Sequence, residues 1–174
     1  MGGFEESAYC RWLIRAQRHF EAVDVLIKSS KYVRGILFLP ALQLTAHGVE
    51  LLLKANLISA GWTPDNVKKK FSHNLAKLWH EPKNKGIRDE AVRVTVEVHT
   101  LAAQNPRWCF APDFHPGFLE EQIERLAQLH GDTTQFALRY PQDGILEGPQ
   151  VPFLVETFGG VNKIAYLNEA PFAP

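Results

Sequence analysis

Apolar residues in the first third of the chain recur every three or four positions, as they do on one face of a helix. Residues 7–27 carry such a stripe, formed by Trp12, Ala16, Phe20, Val23 and Ile27. Residues 37–60 are apolar almost all round and are followed by Gly61, a typical residue beyond a helix end. Such a helix belongs at the centre of a bundle or in a subunit interface. One polar stripe interrupts it, formed by Gln43, His47, Glu50 and Lys54.

Shorter helices are predicted further along the chain. Thr63-Pro64-Asp65 combines a capping residue, a proline and an acid, and predicts a helix that ends near Phe71. Ser72 can cap the next helix, which extends to about residue 80. Turn residues predict a loop over residues 81–86. Helices then return over residues 88–103 and 117–129, and residues 105–116 form a connection.

The last 34 residues differ in character, because they contain five prolines and four glycines. That composition argues against a long helix. Residues 151–158 and 163–167 can instead form a loose hairpin around Gly159-Gly160, in which Pro152 limits the first run to an edge strand or an extended segment. The fold predicted from the pattern is therefore all-α, with a helical domain over residues 1–140 and an irregular extension over residues 141–174 that packs on it.

Composition is that of an ordinary globular protein, with 45% apolar and 22% charged residues. The 19 basic and 19 acidic residues cancel, so net charge indicates no polyanionic partner. Locally the charges are uneven. Residues 68–88 hold seven bases against Glu81, and residues 113–132 hold five acids against Arg125. Two segments of opposite charge can form a phosphate-binding face, or can simply pair with each other across a dimer. Phe71 and Trp79 are the aromatic residues near the lysines, which is few for base stacking.

Several classes of protein lack support in the sequence. The acidic amino terminus has no apolar run of the signal-peptide kind, and no segment is long enough to cross a membrane, so we expect a cytoplasmic protein. Cys10 and Cys109 are expected to be free thiols, since neither stands in a metal-binding motif. Nucleotide-binding loops, hydrolase motifs and histidine metal motifs are also missing. We therefore expect no metal and no cofactor.

Two stretches of the chain resemble a known family. They are Ala46-His47-Gly48-Val49-Glu50-Leu51-Leu52-Leu53-Lys54-Ala55 and Lys68-Lys69-Lys70-Phe71-Ser72-His73-Asn74-Leu75-Ala76-Lys77-Leu78. An apolar helix with Glu and Lys four apart, followed by a basic run and a His-Asn-Leu, resembles the HEPN (higher eukaryotes and prokaryotes nucleotide-binding) domain. Phe136-Ala137-Leu138-Arg139-Tyr140-Pro141 resembles a motif after the last bundle helix of some members. The architecture matches over residues 7–141, and the motifs cover about twenty positions.

This resemblance implies an antiparallel bundle of four or five helices, commonly a homodimer, that binds RNA or a nucleotide. Many members belong to toxin–antitoxin or phage-defence systems, and a nucleotidyltransferase-like protein is a frequent partner. The ligand-binding residues that we expect lie in the matching stretches and in the lysine segment: Glu50, Lys54, Lys68, Lys69, Lys70, His73 and Lys77.

Catalysis is a separate question. Ribonucleases of the family carry an arginine, a polar residue and a histidine four to six positions after the arginine. Arg93 with His99 and Arg125 with His130 have that spacing, but Val94 and Leu126 stand where the polar residue belongs. His73 is a further candidate, because it follows the lysines. Three hypotheses thus stay open: a non-catalytic HEPN-like binding protein, a helical protein–protein interaction module, and a metal-independent ribonuclease.

Overall fold

The fold is that of a computed structural model, which describes residues 7–104, 115–131 and 148–168, apart from the side chain of Ala103. Cys109, the motif over residues 136–141 and the two ends of the acidic segment 113–132, Asp113 and Asp132, lie outside these ranges. Every regular element within them is helical. The helices are α1 (Ala8–Ile27), α2 (Ser30–Val33), α3 (Phe38–Ser59), α4 (Pro64–Phe71), α5 (Leu75–His80), α6 (Lys85–Gln104), α7 (Phe118–His130) and α8 (Val151–Leu167), with a 3₁₀ turn (Pro82–Asn84) before α6. No helix in the described ranges is both long and apolar enough to cross a membrane.

Helix α3 occupies the centre of the fold, as its all-round apolar sequence predicts. It contacts α1, α4, α5, α7 and α8, and these neighbours bury most of its surface. The closest approach is to α1, where a Cβ at Gly48 would lie 2.6 Å from Cε1 of Phe20. A glycine is required there because any larger residue would push the phenyl ring away. Since neighbours within the same chain already cover α3, its apolar surface gives no reason to expect a second subunit.

The segment between α3 and α6 combines confirmed and mistaken predictions. Thr63 caps α4 by accepting a hydrogen bond from the backbone N–H of Asn66, and Pro64 opens the helix. The prediction that Ser72 caps the next helix is wrong: Ser72 has a φ of +47°, and Asn74 caps α5 instead. Residues 81–86, predicted as a loop, form the 3₁₀ turn and the first residues of α6.

The carboxy-terminal hairpin predicted for residues 151–167 is also wrong, because these residues form helix α8. Pro152 lies in the first turn, where the missing N–H of a proline costs no helical hydrogen bond. Both glycines lie in mid-helix, and Gly160 allows close packing: a Cβ there would lie 3.1 Å from Cγ1 of Val94 on α6. Helix α8 also packs against α1, and its Val151, Leu154, Phe158 and Val161 are fully buried. Its residues therefore belong to the hydrophobic core.

Candidate functional site

Glu50 and Lys54 form an ion pair inside the protein. They lie one turn apart on α3, and Nζ of Lys54 donates to Oε1 of Glu50 at 2.6 Å. The side chains are only 4% and 7% exposed, so water does little to stabilise either charge. Nζ of Lys54 also donates to the backbone carbonyl of Ser72 at 2.5 Å. Lys54 therefore neutralises the charge of Glu50 and also holds the turn between α4 and α5 in position.

Two histidines from distant parts of the chain complete the surroundings of Glu50. Nε2 of His130, at the end of α7, lies 2.8 Å from Oε2 of Glu50. Nδ1 of His73 lies 3.2 Å from Oε1 and 3.3 Å from Oε2. The side chain of His130 is completely buried, whereas that of His73 is 45% exposed. One face of this cluster is thus open to solvent and the other is closed.

The charge state of Glu50 follows from opposing effects. Burial by itself raises the pKa of a carboxyl group, but the hydrogen bond from His130 and the ammonium group of Lys54 together outweigh it. The pKa of Glu50 is lowered to about 2. An ionised carboxylate can only accept hydrogen bonds, so both histidines donate to it. The cluster therefore holds a permanent anion at neutral pH, and that anion fixes the orientation of both imidazole rings.

His47 and His19 extend the cluster toward α1. The His47 ring centroid lies 5.2 Å from that of His130 and 6.3 Å from that of His73. The ring of His19 stacks on His47 with the centroids 6.0 Å apart. Each of these two rings has Nδ1 within hydrogen-bond distance of a backbone carbonyl one turn earlier. The carbonyl is that of Gln43 for His47 and that of Arg15 for His19. Four histidines thus form one group of neighbouring rings, in which His73 and His130 contact the Glu50 carboxylate and His19 contacts only the ring of His47.

The lysines of α4 lie beside an open cleft of about 560 Å³, lined by Gly61, Trp62, Asn66, Lys69 and Lys70. Lys68 and Lys69 are exposed. Nζ of Lys70 lies 4.7 Å from the centroid of the Trp62 ring and 3.0 Å from Oε2 of Glu81. Trp62 is half-buried and is therefore a possible stacking surface. Phe71 and Trp79, the aromatic residues that the sequence offered for stacking, are both buried in the core.

The structure places the remaining candidates elsewhere. Lys77 is exposed on α5. Arg93 pairs with Glu90 and Glu97 on the surface of α6, and the half-buried His99 lies on the same helix. Arg125 is exposed on α7, whereas His130, five residues later, points into the core. Of the arginine–histidine pairs, only His130 reaches Glu50.

Sequence reasoning missed three residues, namely His19, His47 and Trp62. The polar stripe on α3 already contained His47 next to Glu50 and Lys54, and an apolar helix keeps such a stripe only where it faces polar neighbours. That stripe was a usable signal for His47. The contribution of His19 depends on how α1 packs on α3, and no local pattern shows it.

Comparison with known proteins gives no further assignment: no protein-family model, curated protein or solved structure matches this chain.

Proposed function

We propose that this protein binds single-stranded RNA or a nucleotide through the cleft between Trp62 and the lysines of α4, in the manner of a HEPN-like binding protein. The observation that carries this proposal is the composition of the cleft, in which an indole ring stands beside Lys69 and Lys70. A ligand that suits both groups has a flat aromatic part and a negative charge. Nucleotides combine the two.

Each group would contribute in a different way. A base that stacks on an aromatic side chain gains about 1–3 kcal/mol and needs no particular sequence. Exposed lysines attract phosphates and release the counterions of the RNA. The amide of Asn66 lines the same cleft and can hydrogen-bond to a base edge. Nζ of Lys70 lies over the Trp62 ring, so a base that stacks on this face would displace the ammonium group, which would stay close enough to pair with the phosphate.

Salt dependence of binding tests the proposal. We would titrate a fluorescein-labelled single-stranded RNA with the full chain in EDTA, at several salt concentrations, and follow fluorescence anisotropy. Lys68→Ala/Lys69→Ala should weaken binding and flatten the plot of log affinity against log salt by roughly 1.4, which corresponds to two phosphate contacts. Lys31→Ala/Lys163→Ala removes the same charge from the exposed surfaces of α2 and α8 and should change neither quantity. No binding at about 50 μM protein and low salt would reject the proposal and favour a protein–protein interaction module.

A metal-independent ribonuclease is the second candidate, because the half-exposed His73 is held by an ionised carboxylate. Cleavage of RNA needs a group that takes the proton of the 2′-hydroxyl and a group that protonates the leaving oxygen. His73 is accessible for one of these roles, and His47 lies next to it. If this is correct, RNA should be cleaved in EDTA, and His73→Ala should abolish cleavage. Binding without cleavage would leave a non-catalytic protein.

The proposal also includes the homodimer and the antiparallel bundle that the HEPN resemblance implies, together with a toxin–antitoxin or phage-defence role and a nucleotidyltransferase-like partner. The exposed side chains of Val92 and Val96 on α6 support a contact between two copies. Light scattering decides between a dimer of about 40 kDa and the 19.7 kDa monomer. A monomer at micromolar concentration would remove the dimer from the proposal.

A further inference from the structure

The histidine cluster contains more than the binding proposal uses. His47, Glu50 and His73 each offer one ligand atom, and these atoms all lie within 4.8 Å of one another. Four of the seven histidines of the chain stand at this one place, on segments that are far apart in sequence. The RNA cleft is built from Trp62 and the α4 lysines and needs none of them.

The distances in the cluster are close to those of a coordination shell. Zinc binds imidazole nitrogen and carboxylate oxygen at about 2.0–2.1 Å, so neighbouring ligand atoms of a tetrahedral site lie about 3.3 Å apart. Nδ1 of His73 and Oε1 of Glu50 are 3.2 Å apart. A metal between them would take the place of the proton on Nδ1, and that proton would move to Nε2 of the same ring. The third ligand atom, on His47, would have to approach the other two by up to about 1.5 Å.

The surroundings of these residues are of the kind that orients metal ligands. A ligating histidine usually donates its second ring N–H to a carbonyl or a carboxylate. Nδ1 of His47 is directed at the carbonyl of Gln43 at 3.2 Å, and that bond favours a lone pair on Nε2. Nε2 of His130 donates to Oε2 of Glu50 and holds the carboxylate in place. The half-exposed ring of His73 provides a route from solvent.

We propose that His47, Glu50 and His73 form a binding site for a late first-row divalent metal ion, with Zn²⁺ as the ion that fits best. Two imidazoles and one carboxylate are a typical zinc ligand set and leave a fourth position for water. Lys54 opposes the metal, because its ammonium group lies 2.6 Å from the same carboxylate oxygen. The ammonium group of Lys54 therefore competes with the metal ion for this oxygen, and the affinity for metal depends on whether Lys54 stays in contact with Glu50.

Calorimetric titration of the full, EDTA-treated and desalted chain with ZnCl₂ tests this inference. We expect one ion per chain, and Co²⁺ should give the visible absorption bands of a tetrahedral site. His47→Ala and His73→Ala should each weaken binding at least about tenfold, whereas the exposed His80→Ala should leave it unchanged. Lys54→Met should tighten binding by about tenfold or more, because a cation is removed.

Absence of Zn²⁺ binding by the folded wild-type chain would overturn the inference. Binding that His47→Ala and His73→Ala leave unchanged would overturn it as well, since the ion would then lie elsewhere. Circular dichroism of each variant separates loss of the site from loss of the fold. The RNA titrations are carried out in EDTA, so their result does not depend on the outcome for zinc.

Discussion

Replacing Glu50 by glutamine keeps the shape of the side chain and removes the charge on which Lys54, His73 and His130 converge. The lowering of the Glu50 pKa from 4.5 to about 2 corresponds to roughly 3 kcal/mol of native-state stabilisation. Loss of one partner of a buried pair costs about 3–5 kcal/mol, because the ammonium group of Lys54 would remain buried without its counter-ion. The two figures agree, and we expect Glu50→Gln to lower the free energy of unfolding at pH 7 by about 3 kcal/mol.

The effect should depend on pH in a defined direction. A carboxyl group whose pKa is lower in the folded protein stabilises the fold fully above its unfolded pKa, and this stabilisation is lost as the pH falls. For Glu50 the window extends from pH 4.5 down to about 2. The difference in unfolding free energy between wild type and Glu50→Gln should therefore stay constant from pH 7 to about 5 and shrink steadily below.

Urea unfolding followed by far-UV circular dichroism measures this difference at pH 7, 5, 4 and 3. The matched control is Asp89→Asn, which breaks the ion pair Lys85–Asp89 at the same helical spacing on the surface, where the side chains are 72% and 62% exposed. That change should cost less than about 1 kcal/mol. The reasoning would be refuted by a Glu50→Gln effect as small as that of Asp89→Asn, or by a difference that stays constant down to pH 3.

Two further predictions concern stability and use matched pairs of variants. Lys54→Ala should lower the melting temperature by at least about 6 °C and Lys85→Ala by less than about 2 °C, because only the first leaves a buried charge unpaired; equal shifts in thermal circular dichroism would contradict this. Gly48→Ala should destabilise the protein by about 1–3 kcal/mol, since its methyl group would meet the ring of Phe20. Gly159→Ala should be neutral or stabilising by up to about 1 kcal/mol, because the atom nearest to the added methyl group would be 3.9 Å away. If Gly159→Ala lost more stability than Gly48→Ala, the α1–α3 contact would be looser than described.

Local patterns predicted the helices that carry their own start and stop signals. The bounds of α1 and α4 follow from the apolar stripe over residues 7–27 and from the Thr63-Pro64 cap, and both are confirmed to within a residue. Helix α8 was missed because proline and glycine usually disfavour a helix but are tolerated at particular positions within one. Pro152 is harmless in a first turn, and Gly160 is useful where a neighbouring helix passes closely. Only the packing partner, here Val94, distinguishes a helix of this kind from a loop.

The sequence predicts the contacts of the candidate site between residues one helical turn apart, but not the contacts between distant parts of the chain. Glu50 and Lys54 are one turn apart, so their pairing follows from helix geometry. His73 and His130 reach the same carboxylate from 23 and 80 residues away. Their approach depends on how α7 and the α4–α5 turn pack on α3. A single sequence contains no periodicity that reports such a contact.

The RNA-binding proposal depends most directly on stacking at Trp62, and one comparison measures it. Anisotropy titrations of the same labelled RNA, in EDTA, would compare Trp62→Leu with Trp12→Leu, which removes a partly buried tryptophan from α1. We expect Trp62→Leu to weaken binding by about 5- to 150-fold without changing the salt dependence, and Trp12→Leu to have no effect. Equal affinities for the two variants would contradict the assignment of this cleft as the nucleotide-binding site.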